Sequence, residues 1–219
     1  MKKNQRSLCL AAIFAMLALL TGCSSTQLES PSSAYAASST DEVKNSAQIY
    51  MFRGGFNGVF STGITDMASE LRQRGVPAQD LSWASSTSAL DKIKKAASSN
   101  ANVRPVVLAG HSLGATSVVG MARALTREGI EVDLVIVFDP LGSTRVPKGV
   151  RKLINFKASG SKENPGTFRP GPGFTGDIVN VDIRNLPDLE KSSHWNIVNQ
   201  KELQRRVIQE IETTYQRYQ

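Results

Sequence analysis

The sequence predicts a three-layer α/β fold: a mostly parallel sheet of about six strands, covered by helices, with no cap domain. Two observations predict it. From Gln48 onward, short apolar runs alternate with segments whose apolar residues recur at helical spacing, as when strands are joined by helical crossovers. Two of the runs, Val106 to Ala109 and Leu134 to Phe138, are apolar at every position, as expected for central strands covered on both faces.

The expected strands are Ile49 to Phe52, Val76 to Leu81, Val106 to Ala109, Leu134 to Phe138, Leu153 to Lys157 and Ile178 to Ile183. The last alternates Val179 and Val181 against Asn180 and Asp182, which places it at an edge. Between the first two strands, Ile64, Met67, Ala68 and Leu71 follow i, i+3, i+4, i+7 spacing and predict a covering helix. Leu90, Ile93 and Ala97 form a narrower stripe of the same kind. Val118, Met121, Ala122 and Leu125 predict a third helix, stopped near Gly129, and Leu203, Val207, Ile208 and Ile211 a terminal one. These stripes are core and carry no chemistry.

The residues before the sheet have another character. Lys2, Lys3 and Arg6 precede a mostly apolar run from Leu8 to Leu20, then small residues, so residues 1–22 read as an export signal. The run is too short to span a bilayer, which takes ~20 apolar residues. Leu20-Thr21-Gly22-Cys23 resembles the lipobox of bacterial lipoproteins, which implies cleavage before Cys23 and acylation of that residue. Several acyl chains on one residue suffice for stable anchoring. With Ser24 following, the expected location is the cell envelope, anchored in the outer membrane and facing the periplasm. Cys9 is lost with the signal, so Cys23 is the one cysteine left and no disulfide can form within the mature chain.

Residues 24–46 hold eight Ser and a single aromatic, Tyr35, and read as a tether. The domain proper is expected over residues 47–219. Three of the 26 basic residues lie in the signal, leaving 23 against 19 acidic ones. This mild excess, scattered along the chain, reads as a solvated surface; no basic stripe with interleaved aromatics suggests nucleic acid. No cofactor motif and no metal-ligand spacing is present.

The chemistry centres on Gly110-His111-Ser112-Leu113-Gly114, directly after one predicted strand and directly before a helix. The string alone is weak in a chain with 17 Gly, but the strand-turn-helix setting makes Ser112 a candidate nucleophile. A serine hydroxyl needs a base held in the correct tautomer by a third group. Of the two histidines, His111 adjoins Ser112 on a tight turn where neighbouring side chains diverge, which suits a positional role. His194 is left as the base. Asp139 ends a buried strand on the side where open α/β sheets place their sites, and is the expected acid; Asp188 is its main rival. The backbone N–H of Leu113 is the expected oxyanion donor, with a second from Gly55 or Phe56 in the loop Arg53-Gly54-Gly55-Phe56-Asn57-Gly58. Arg53 is expected in a structural ion pair. The loop from Gly160 to Gly176 is expected to wall the entrance, while Trp195 either lines the pocket or packs in the core.

The order Ser112, Asp139, His194, the Gly-His-Ser-Leu-Gly turn and the alternating elements resemble the α/β-hydrolase superfamily, particularly its lipases and esterases, over nearly everything after residue 47. The resemblance implies acyl transfer to Ser112 and hydrolysis of the acyl-enzyme by water that His194 activates. Substrates of that kind would be a small ester, a lipid or an acylated envelope polymer. The chain departs from the pattern in having Arg53-Gly54 where many relatives have His-Gly, and no carboxylate in Asn155-Phe156-Lys157-Ala158-Ser159, where most place the acid. Its sheet also begins late, after the tether. Two other readings use the same features: a thioesterase or acyltransferase with the same triad, and a non-catalytic envelope lipoprotein that uses the scaffold to bind a partner.

Overall fold

The computed structural model describes residues 46–99, 102–141, 145–158 and 166–219. The predicted signal at 1–22, Cys23 and the tether up to residue 45 lie outside the described residues. The elements run β1 (Gln48–Arg53), α1 (Thr62–Gln73), β2 (Ala78–Ser82), α2 (Ser86–Ser99), β3 (Val106–His111), α3 (Leu113–Arg127), β4 (Leu134–Phe138), β5 (Arg145–Val146), β6 (Lys152–Lys157), β7 (Arg169–Pro170), β8 (Asp177–Asp182) and α4 (Lys201–Gln216). Six strands form one sheet in the order β2-β1-β3-β4-β6-β8, every neighbouring pair parallel. The expected three-layer α/β fold is the one observed, and β8 lies at an edge.

Strand alternation sorts the core into two layers. Ile49, Met51, Val107, Ala109, Leu134, Ile136 and Phe138 face α1 and α4, meeting Ile64, Met67, Leu71, Val207 and Ile211. Their neighbours Tyr50, Phe52, Val106, Leu108, Val135 and Val137 face α2 and α3, meeting Ile93, Val118, Met121 and Leu125. Apolar side chains on both faces of one strand can be satisfied only when helices cover both sides, which is why β3 and β4 are central.

Two boundaries differ from the expectation for local reasons, and one short ladder was not expected. Val76 closes α1 instead of opening β2: with Gly75 at φ 83°, the Val76 N–H turns back to the carbonyl of Leu71 (2.9 Å). Ile183 starts a 3-10 turn after β8, because the Asp182 carboxylate accepts the Arg184 N–H (3.2 Å) and bends the chain. The short β5–β7 ladder has no apolar pattern to announce it; Phe168, next to it, is drawn into the α2/α3 layer.

The sheet's N-terminal end is tied by one carboxylate. Asp133, buried just before β4, accepts the Val106 N–H (2.9 Å), the Tyr218 hydroxyl (2.6 Å) and the Arg104 guanidinium, joining β3, β4 and the end of the chain. Asp133→Ala should cost about 2 kcal/mol in urea denaturation, since it leaves the buried Val106 N–H without an acceptor and Arg104 with Glu131 alone as its carboxylate partner. A loss below about 1 kcal/mol would mean that water replaces the carboxylate.

Candidate active site

The site forms where chain order reverses in the sheet: β2 follows β1 on one side, β3 returns on the other, and the loops after β1 and β3 open the crevice between them. Ser112, between β3 and α3, has φ 55° and ψ −117°, a conformation that L-residues rarely adopt and that costs roughly 1–3 kcal/mol. The two glycines of the turn have a steric reason. A Cβ on Gly110 would stand 2.4 Å from the Gly114 carbonyl oxygen, and one on Gly114 would stand 2.4 Å from that of Phe52. The helix start is therefore pressed directly onto β1 and β3.

At this turn Ser112, His194 and Asp139 are hydrogen-bonded in series. His194 Nδ1 lies 2.7 Å from Asp139 Oδ2, and His194 Nε2 lies 3.0 Å from Ser112 Oγ. A carboxylate only accepts, so Nδ1 carries the proton and Nε2 is left with the lone pair that accepts from the Ser112 hydroxyl. Asp139 is buried at the end of β4 and also accepts the Ala158 N–H (3.0 Å). The end of β6, which lacks a carboxylate, thus supplies a donor that orients the one on β4. Asp188 is exposed and makes no hydrogen bond to His194.

His111 points away from the Ser112 hydroxyl and holds the other histidine's backbone. Its Nε2 is 2.9 Å from the His194 carbonyl oxygen, so that nitrogen is the donor. Its Nδ1 must then accept, and the partner is the Ser61 hydroxyl at 2.8 Å. Ser61 Oγ in turn accepts the Gly54 N–H at 3.0 Å. One relay therefore runs from the loop after β1, through the 3-10 turn Phe56–Ser61, to the segment that carries His194. That segment is otherwise held by its own turn, in which Asn196 accepts the Ser193 N–H (2.8 Å). Ser61 carried no signal in the sequence, because the contact spans 50 residues. Burial pushes His111 down to about 4, so it is neutral at ordinary pH.

The Gly54 N–H is committed to the Ser61 hydroxyl, which leaves the amides of Gly55 and Phe56, the two expected from this loop, as its candidates for a donor at the cleft. Gly55 lies against Leu113: a Cβ there would be 3.1 Å from Leu113 Cδ1. The Leu113 N–H, at the first position of α3, has no acceptor within the helix. Leu113, Gly55 and Phe56 all border a cleft of about 240 Å³ over Ser112 and His194. The other walls are Phe60, Leu141 and Trp195, so Trp195 lines the cleft and is half exposed.

Two expectations fail. The described part of the Gly160–Gly176 loop, residues 166–176, does not wall the entrance; residues 160–165 lie outside the described residues. Phe168 is buried in the α2/α3 layer, and the Asn180 side chain clamps both its N–H (2.9 Å) and its carbonyl (3.0 Å), which holds this stretch on that face. Arg53 forms no ion pair with a described carboxylate; its stem packs on Gly58 and its Nε is buried without a partner. Among the described residues no group of three or more His, Cys, Asp or Glu could hold a metal ion.

No protein-family model matches the chain, and no curated protein matches it. Among solved structures, one from Xanthomonas campestris pv. campestris described as a "putative hydrolase of the alpha/beta superfamily" is similar over 76% of this chain and 99% of that one, at 13% identity and a TM-score of 0.44.

His111 gives the fold a pH dependence whose sign follows from its lowered value. Between about 6.5 and about 4 the unfolded chain binds the proton that the folded one refuses, so this contribution is complete above about 6.5 and lost as pH falls toward 4. The loss is of order 3 kcal/mol. Urea midpoints measured from pH 7 to 4 should fall less steeply in His111→Gln than in wild type; parallel curves would contradict the assignment.

Proposed function

We propose that this protein is a serine hydrolase that cleaves acyl esters through an acyl-enzyme, anchored to a membrane by lipid on Cys23. The observation that carries the reading is the series Ser112–His194–Asp139, with Ser112 raised on a strained strand-to-helix turn. Ser112 Oγ attacks the acyl carbon while its proton passes to His194 Nε2. The oxyanion sits by the Leu113 N–H and the N–H of Gly55 or Phe56, where each donor is worth roughly 10²- to 10³-fold in rate. His194 then protonates the departing alcohol, leaving the acyl group on Ser112. Water, deprotonated by His194, attacks the acyl carbon; His194 returns the proton to Ser112 as the acid leaves.

The rim supports an apolar acyl group. Among the described residues, seven large apolar side chains are notably exposed, and Phe56, Val59, Phe60, Leu141 and Trp195 belong to the cleft or the turn beside it. Phe60 and Trp195 meet edge to face at 4.8 Å, and Trp195 stands edge-on to His194 at 5.2 Å. Apolar surface concentrated at one mouth marks a binding site for apolar groups. The lipobox-like Leu20 to Cys23 supports anchoring in the envelope, with the domain in the periplasm.

A fluorophosphonate probe tests the activated serine. Wild type should label, while Ser112→Ala and His194→Ala should not; well-folded wild type that stays unlabelled would favour a binding module. Asp139→Asn should slow labelling by up to about 10⁴-fold through loss of the correct tautomer. Asp188→Asn should leave it unchanged, and the reverse pattern would move the acid to Asp188. Cys23→Ala should shift the chain out of the lipid-anchored membrane fraction; retention as a detergent-extracted, acylated species would remove the anchor.

A further inference from the structure

A second cavity, of about 320 Å³, lies at the other end of the sheet, between the last turn of α3 and β5. Arg123, Arg127, Arg145 and Lys148 line it, together with Val146 and Pro147. None of the four forms an ion pair with a described carboxylate. This sets them apart from Arg72, Arg74, Arg104, Arg151 and Arg184, each of which faces an Asp or Glu. A further cation stands beside them, because Arg169 is the register partner of Arg145 across the β5–β7 ladder. Arg123 and Arg145 turn to backbone, donating to the carbonyls of Arg145 (3.4 Å) and Pro170 (3.1 Å). Like charges gathered around a cavity repel one another, and a bound anion would relieve that repulsion. Guanidinium forks on apolar stems suit phosphate oxygens in particular.

The position of the groove indicates which phosphate. α3 leaves the sheet's active end at Ser112 and runs 15 residues, or about 22 Å, to its last turn. There Thr126 meets Gly149, next to the Val132–Val150 bridge at the starts of β4 and β6. The chain enters the domain at the same end, where the Gln48 N–H bonds to the Pro105 carbonyl before β3 (2.8 Å). The described chain therefore begins at the end of the sheet that carries these cations, which no described carboxylate pairs.

We propose that this groove docks onto the phosphate headgroups of anionic phospholipid in the membrane that holds the chain, and so turns the cleft away from that membrane. The proposal rests on the anchor reading for its choice of surface. It implies that the substrate reaches Ser112 from the side opposite the anchor, not out of the anchoring leaflet beneath the domain. Each basic residue near an anionic leaflet contributes about fivefold to partitioning, so two of them contribute about 25-fold.

The test uses unlipidated residues 24–219, which retain every described core side chain, the two clusters falling within residues 47–215. Cosedimentation is measured with vesicles of phosphatidylcholine alone and with about one third phosphatidylglycerol, for wild type, Arg127→Glu/Lys148→Glu and the milder Arg127→Gln/Lys148→Gln. The anionic vesicles should bind wild type at least about tenfold more tightly, less so as salt rises; charge reversal should abolish the difference and the Gln pair should halve it on a logarithmic scale, with fluorophosphonate labelling unchanged in both. Equal binding to neutral vesicles, undiminished binding by the reversed variant, or no vesicle binding would overturn the proposal. Protection of the groove by inorganic phosphate without vesicle binding would assign it to a soluble anion and overturn it likewise. Because no lipid is attached, these outcomes are independent of Cys23→Ala fractionation, which tests the anchor alone.

Discussion

The contact between the start of α3 and the ends of β1 and β3 governs the rest of the molecule. With no side chain at Gly110 or Gly114, backbone meets backbone at distances that a single Cβ would forbid. That closeness forces Ser112 to φ 55° and lifts its hydroxyl above the sheet. It also lays the Leu113 side chain, at the start of α3, against Gly55. The strain is held because both flanking strands are central and covered on two faces, so the turn has no slack to relax into.

A histidine on an irregular loop is a poor partner for a rigid serine unless the loop is held. Two devices hold it here. Asp139, itself at φ 48° and fixed by the Ala158 N–H, orients the ring from inside the protein. His111 takes the backbone carbonyl of His194, and Ser61 makes that possible by accepting from Gly54 while donating to His111. The loop after β1 and the loop that carries His194 are thereby coupled through one buried imidazole, whose neutrality depends on its burial. Protonating it would remove the acceptor that Ser61 needs.

The two ends of the sheet differ in chemistry. The strand C-termini carry exposed aromatic surface around an ionisable pair that is mostly shielded from water. The strand N-termini carry charge: a neutralised network around Asp133, and beyond it the cations of the α3–β5 groove that no described carboxylate meets. Parallel strands make this polarity unavoidable, since every crossover delivers loops of one kind to each end.

The sequence by itself determined the layers, the central strands and the tight strand-to-helix turn at Ser112, because these rest on periodicity and on neighbours within a few residues. Leu134 to Phe138 could only be a strand covered twice, and Gly-His-Ser-Leu-Gly between strand and helix could hardly be a relaxed loop. With two histidines available, even the partner of Ser112 was open to elimination. Tertiary structure decided what depends on distance alone. It set Asp139 rather than Asp188 beside His194 and gave His111 its carbonyl partner. It also brought Ser61 under the turn, and drew Phe168 and Phe174 to the α2/α3 face although the Gly160–Gly176 loop starts from the strand end on Ser112's side. These are hydrogen bonds and packing contacts between residues tens of positions apart, 55 for Asp139 and His194 and 82 for Ser112 and His194. No local pattern encodes such pairings; they follow once six strands are ordered in a sheet and their loops converge at one end.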